Sequence, residues 1–293
     1  MKKKVINISI IIFFIIGLSL LLYPTVANQW NTYRQSKLMS SYEEQVEKLE
    51  ASGEVDMEAE WEKAEAYNEA LLPTILPDSF AIAEANQEED KTYTSSLNLT
   101  GDGMMGKVVI PKIDVNLPIF HYTTKEVLEN GVGHLEGSSL PIGGESSHCV
   151  LSAHRGLPSA SLFTDLDQLE LGDHFLIYVL DDVLCYEVDQ VKVVEPKETE
   201  DLSVEDGKDL MTLFTCTPYG VNTHRLLVRG HRVPYEETIL TDEHVPTSNR
   251  SLHTNYLLWV FVGLAVTGLL ILVMYRIDKK RREKHSSERE DEV

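Results

Sequence analysis

Cysteine is scarce in this chain: Cys149, Cys185 and Cys216 are the only three among 293 residues. No C-x-x-C pair occurs, and the ten histidines show no metal-ligand spacing with the cysteines, which argues against a structural zinc and calls for no cofactor. Positive charge is also short, with 26 Lys and Arg against 47 Asp and Glu, for a net charge of −21. Such a surface repels nucleic acid and anionic headgroups, so nucleic acid is not an expected partner. It either draws a lysine-bearing partner or simply keeps an exported domain soluble. Beyond residue 104 helical periodicity is rare, with 125–130 and 162–169 the only segments that carry it.

Two long apolar runs are present. Residues 5–22 follow Lys2, Lys3 and Lys4, and residues 256–275 precede Arg276, Lys279, Lys280, Arg281 and Arg282. Each is close to the roughly 20 residues a helix needs to cross a bilayer. Their basic flanks lie on the outer sides, so the positive-inside rule puts both termini in the cytoplasm and the middle of the chain outside. The first run is either an uncleaved anchor or a signal peptide cut after Thr25-Val26-Ala27; its length favours the anchor. An odd number of exported cysteines leaves at least one thiol unpaired, either buried and inert or a nucleophile. Cys149 and Cys185 sit in apolar runs that suit small buried side chains, with a disulfide between them also open.

In chain order, Tyr42, Val46 and Leu49, then Met57, Trp61, Ala64 and Tyr67, recur at helical spacing on either side of Ser52-Gly53. They predict two amphipathic helices within 28–70, and Trp61 and Tyr67 favour packing on a main domain over a free stalk. Segment 71–103 loses periodicity and reads as a long loop, interrupted by the apolar island Leu76-Pro77-Asp78-Ser79-Phe80. From 104 to 235, short β-branched or aromatic runs at 108–110, 113–117, 149–153, 175–179, 183–194, 211–214 and 226–233 alternate with turn signals. That pattern predicts a mainly β barrel or sandwich. A linker at 236–255, the apolar run at 256–275 and a charged tail at 276–293 complete the chain, with 1–27 as the N-terminal tail and membrane segment.

Chemistry concentrates at strand ends. Cys216 closes the run 211–214 just before Thr217-Pro218-Tyr219-Gly220, Arg225 opens the next run, and His154 ends the run 149–153. A free thiol is only a few per cent ionised at neutral pH and needs a nearby imidazole or cation, which His154 and Arg225 can supply. His121, His134, His174, His244 and His253 have no such neighbours and default to solvated roles. His224 alternates with Arg225 and points to the other face.

The run Thr212-Leu213-Phe214-Thr215-Cys216 resembles the T-L-x-T-C signature of sortases, the cysteine transpeptidases of Gram-positive bacterial surfaces. Residues 217–230 look like the class C, pilin-type branch, and Leu151-Ser152-Ala153-His154-Arg155-Gly156 is similar to the family's histidine motif. The resemblance implies an eight-stranded β-barrel flanked by two transmembrane helices. It implies Cys216 as nucleophile, His154 as general acid/base, Arg225 as oxyanion or substrate stabiliser and Thr215 as a positioning residue. It also implies a lid, with Asp78 and Phe80 in the place of an Asp-Pro-aromatic motif whose proline is here Ser79. The substrates implied are pilins or surface proteins bearing an LPxTG-like signal, cleaved between Thr and Gly. The acceptor is a pilin lysine or, in a housekeeping enzyme, the amine of a cell-wall precursor. A membrane-tethered binding domain and a hydrolytic cysteine protease are the rival readings.

Overall fold

A computed structural model describes residues 2–71, 76–82, 90–236, 261–265, 267–268 and 275–276. The chain divides into two compact units, 23–245 and a second made of 1–22 with 246–293.

The larger unit is built on eight strands: β1 (Met104–Ile110), β2 (Val115–Phe120), β3 (Val132–His134), β4 (Ser147–Ser152), β5 (His174–Val179), β6 (Asp182–Val194), β7 (Asp209–Thr217) and β8 (His224–Val233). They close into a barrel in the order β1-β2-β3-β4-β7-β8-β6-β5. Closure pairs every strand on both sides and decides for a barrel over a sandwich. Val108, Ile110, Leu151, Ile177, Leu213 and Val228 fill the interior without solvent exposure. Phe175 and Tyr186 stack at 5.5 Å between centroids beside Gly230, where a Cβ would lie 2.8 Å from the Phe175 ring.

Three local features differ from expectation. Strand β3 is only three residues long, too short for alternation to announce it, yet it bridges β2 and β4. The helix expected at 162–169 is a single 3-10 turn, Leu166–Gln168. Leu162 has a φ of +41° and the Phe163 N–H donates to the His154 carbonyl at 3.1 Å, so long-range contacts override the local pattern. Segment 71–103 is not an unbroken loop: it holds α3 (Ser79–Ile82) and α4 (Lys91–Ser95), the latter capped by Asp90 Oδ1 accepting from the Thr92 and Tyr93 N–H groups.

The N-terminal helices pack as Trp61 and Tyr67 suggest. Helix α1 (Lys2–Ser52) continues from the apolar run, and α2 (Met57–Ala70) starts after a break at Gly53, whose φ of +71° suits glycine. Met39, Tyr42 and Val46 of α1 are buried against Met104. Ala64 of α2 is fully buried in the barrel cluster, with Trp61 and Tyr67 packed on it. Asn68 ties the helix down by exchanging hydrogen bonds with the Leu140 backbone, 2.7 and 3.4 Å. Helix α5 (Lys125–Asn130) spans the expected residues.

His121 and His134 are not solvated, being 5% and 0% exposed. Both ring nitrogens of His121 face carbonyls, those of Gly103, Tyr93 and Ser96. His134 Nε2 donates to the Ser139 carbonyl at 2.8 Å, and Nδ1 accepts from the fully buried Tyr93 hydroxyl at 2.7 Å. Burial lowers the His134 pKa to about 3, against the pull of the Ser139 carbonyl. The unfolded chain takes up this proton below about 6.5 whereas the folded one does not until about 3. Stability from this group is therefore complete above pH 6.5 and is lost progressively on descent to 3. Denaturant titrations should show about 2 kcal/mol lost between pH 7 and pH 5 through His134. His134→Gln should flatten that slope.

Among the described residues one helix is long and apolar enough to cross a membrane, at Ile12–Ser52. Its Phe13, Ile15 and Leu20 are exposed, as a lipid-facing surface requires. The second span expected at 256–275 lies mostly outside the described residues, as do most of the linker, the charged tail, His244 and His253.

Candidate active site

The predicted site residues converge through strand register. Strands β4 and β7 run parallel with Ser152 opposite Phe214. Beyond the end of β4 the pairing persists: the Ala153 N–H donates to the Phe214 carbonyl at 3.2 Å, and the Thr215 hydroxyl donates to the Ala153 carbonyl at 2.7 Å. Two residues past the Ser152–Phe214 pair, His154 falls level with Cys216 and, by the two-residue alternation of strands, on the same face. On the other side of β7, Cys216 is directly paired with Arg225 of β8. Imidazole, thiol and guanidinium thus stand on three adjacent chain segments, about 5 Å apart in the pairing direction. His224 is exposed while Arg225 is buried, as alternation requires.

Thr215 is fully buried, and its hydroxyl holds the backbone that carries His154. Arg155, next to the histidine, fastens the following loop: Nε donates to the Thr164 carbonyl at 2.9 Å, Nη1 to Thr217 Oγ1 at 3.0 Å, and Nη2 pairs with Asp167.

Asp78 and Phe80 cover this row. The Asp78 carboxylate takes a two-pronged ion pair from Arg225, Nε to Oδ1 at 2.7 Å and Nη2 to Oδ2 at 2.6 Å. Both side chains are almost buried, at 8% and 10% exposure. Arg225 Nη1 donates to the Asn222 and His224 carbonyls, both at 3.2 Å, so every nitrogen of the guanidinium is engaged. The Phe80 ring lies 5.3 Å from the His154 ring and 5.9 Å from Phe214, with the Arg225 guanidinium carbon 5.3 Å from its centroid. Leu76 is buried among Leu135, Val150, Leu202 and Phe214. Ser79, where the family pattern has proline, is completely buried: its Oγ accepts from Ser152 Oγ at 2.7 Å, and its carbonyl accepts from Thr123 Oγ1 at 3.2 Å.

The covered site is electrostatically at rest. Burial above all, with the Asp78 charge adding and Arg225 opposing, pushes the Cys216 thiol up to about 11. Burial also lowers the His154 pKa, against the attraction of Glu129. Thiol and imidazole are therefore both neutral near pH 7. No disulfide joins Cys149 and Cys185, both of which are buried, and burial raises the Cys149 thiol well above its ordinary value. Among the described residues no group of three or more His, Cys, Asp or Glu is placed to hold a metal ion.

Sequence reasoning missed Ser152, Thr123 and Leu76 as parts of this site. Ser152 did leave a trace, a hydroxyl inside the otherwise apolar run 149–153.

Comparison with known proteins gives a consistent set of relatives. The Sortase domain family matches residues 108–233. Sortase D of Bacillus subtilis is 30% identical over 168 residues, 56% of this chain and 81% of that protein. Among solved structures, sortase C-1 of Actinomyces oris is 46% identical with a TM-score of 0.57, covering 61% of this chain and 98% of that one. The pilus-related sortase C of Group B Streptococcus is 42% identical with a TM-score of 0.60, covering 67% and 97%.

Proposed function

Since the chain belongs to the sortase family of cysteine transpeptidases, we propose that it joins pilin subunits by acyl transfer through Cys216. The observation that carries this reading is the row His154, Cys216, Arg225 across three neighbouring segments, with Cys216 paired directly to Arg225.

In this mechanism the Cys216 thiolate attacks the threonine carbonyl of an LPxTG-like signal. His154, as imidazolium, protonates the departing glycine amine while the C–N bond breaks, leaving a thioester. Arg225, released from Asp78, donates to the oxyanion that forms in each tetrahedral intermediate. The acceptor amine then attacks the thioester and gives its proton to His154. An amide forms, and the thiolate is restored. Thr215 acts indirectly, by holding the Ala153 carbonyl and so the approach of His154 to the thiol.

For the acceptor we take a pilin lysine. The relatives 42% and 46% identical are sortase C enzymes, one of them pilus-related, and the acidic chain attracts a cationic side chain. The catalytic domain, 104–235, belongs on the outer face of the membrane, tethered by 1–27 and 256–275 with both termini in the cytoplasm, as their basic flanks favour. Residues 28–70 form a helical brace, and 71–103 are the lid loop and linker, with Asp78 and Phe80 as the cover.

Incubation of the full chain with an LPxTG-type peptide, a lysine-bearing pilin peptide and an amine mimicking the cell-wall precursor tests this reading by mass spectrometry. The expected product is the acyl fragment joined to the lysine. Transfer to the wall-type amine alone makes the enzyme a housekeeping anchor. Release to water alone makes it a protease, and intact peptides with an unmodified Cys216 make it a binding domain.

A further inference from the structure

Four consecutive residues of the cover, Leu76-Pro77-Asp78-Ser79, repeat the pattern of the sorting signal: leucine, proline, any residue, then a hydroxyl residue. Their seating follows the same direction along β4. Leu76 packs with Val150, Ser79 bonds to Ser152, and Phe80 lies against His154. A peptide laid in this way has its leucine farthest from the catalytic row, and the bond after its hydroxyl residue falls nearest to it. We propose that Leu76–Ser79 occupies the seats of a Leu-Pro-x-Thr signal, and that Ser152 is the specificity-determining residue that reads the threonine hydroxyl. This rests on the sorting-signal reading above.

Ser152 is completely buried in a strand whose neighbours Val150, Leu151 and Ala153 are apolar. Its hydroxyl donates to Ser79 Oγ, so a peptide that takes the place of the cover and shuts out water must bring an oxygen to meet it. Threonine restores that oxygen and adds a methyl group toward apolar surroundings. Valine, of the same shape, leaves Ser152 unpaired. A site built around a hydroxyl rejects the analogue lacking it far more strongly than an apolar pocket rejects an extra hydroxyl. The leucine seat is formed by Leu135, Val150, Val194, Leu202, Phe214 and Leu227, a closed apolar cluster without a charged member. In the cover itself the Ser79 carbonyl is engaged by Thr123 Oγ1 and Ser79 starts α3. That backbone differs from an extended peptide, which accounts for an occupant that is not a substrate.

The test uses the full chain with Asp78→Ala and Phe80→Ala, and peptides differing only at the fourth residue of Leu-Pro-x-Thr-Gly: Thr, Ser, Val or Ala. The expected order of kcat/KM is Thr, then Ser, well ahead of Val and Ala, with Thr preferred to Val by about tenfold to a hundredfold. Adding Ser152→Ala should bring the Thr-to-Val ratio to within about threefold. Each ratio is taken on one preparation, so an inactive fraction cancels, and the peptide series on the Ser152 chain stands alone if the alanine variant does not fold. A Thr-to-Val ratio near one with Ser152 present, or a ratio unmoved by Ser152→Ala, overturns the proposal. Failure of the Ser152 chain to cleave any of the four peptides overturns the sorting-signal reading, and the proposal with it.

Discussion

Cys216→Ala is expected to abolish both peptide cleavage and transfer, lowering kcat/KM by about 10⁴-fold or more, and to remove the acyl-enzyme from intact-mass spectra. The size of the effect follows from the arrangement of the site. No second thiol can substitute: Cys149 and Cys185 are fully or almost fully buried elsewhere in the barrel wall. His154 and Arg225 have no covalent role of their own, so without the sulfur they can only polarise a bound peptide. In the proposed reaction the three side chains act on the same bond, so adding His154→Ala to Cys216→Ala should cause little further loss. Activity that survived Cys216→Ala would move the nucleophile away from β7. The substitution also removes little volume from a residue 7% exposed at a strand end, so the melting temperature should stay within a few degrees of the parent and separate lost chemistry from lost fold.

The elements that were readable in advance are those whose signal is local. The β-branched and aromatic runs and the turn residues between them announce strands, because both are properties of a few consecutive residues. The periodicity of Trp61, Ala64 and Tyr67 announces a helix face for the same reason. What stayed hidden depends on partners distant in sequence. The motifs name His154 and Cys216 together, but the parallel register of β4 with β7 that aligns them is contained in no local window. His134 is an ordinary histidine near a turn until Tyr93 and Ser139 close over it. Ser79 shows the limit most plainly. A serine in the place of a proline suggests a looser cover, because the fixed backbone angle is gone. In the folded chain its hydroxyl instead meets that of Ser152, so a conformational restraint has been exchanged for a hydrogen bond.

The double variant Asp78→Ala with Phe80→Ala should raise hydrolysis of a free sorting peptide by about 10² to 10³-fold. Asp78 contributes a two-pronged, nearly buried ion pair whose loss leaves Arg225 without its carboxylate in the covered state only, since in the open state water solvates the guanidinium. Phe80 contributes apolar burial against His154 and Phe214. Together these are worth about 3–4 kcal/mol of closure, and each 1.4 kcal/mol is tenfold in the fraction of molecules open to substrate. The same change alters the chemistry. Burial and the Asp78 charge, the two influences that raise the Cys216 thiol, both weaken, while Arg225, which lowers it, remains. His154 moves the opposite way as its burial is relieved. The two pKa values approach, and the thiolate–imidazolium pair needed for attack becomes more populated near neutral pH. Alkylation of Cys216 by iodoacetamide reports this directly. In the parent the rate should climb with pH toward about 11, whereas in the variant its midpoint should fall by more than one unit. Faster hydrolysis with an unmoved alkylation midpoint would make the cover a steric plug alone. Unchanged values of both would mean that Asp78 and Phe80 do not hold the site closed.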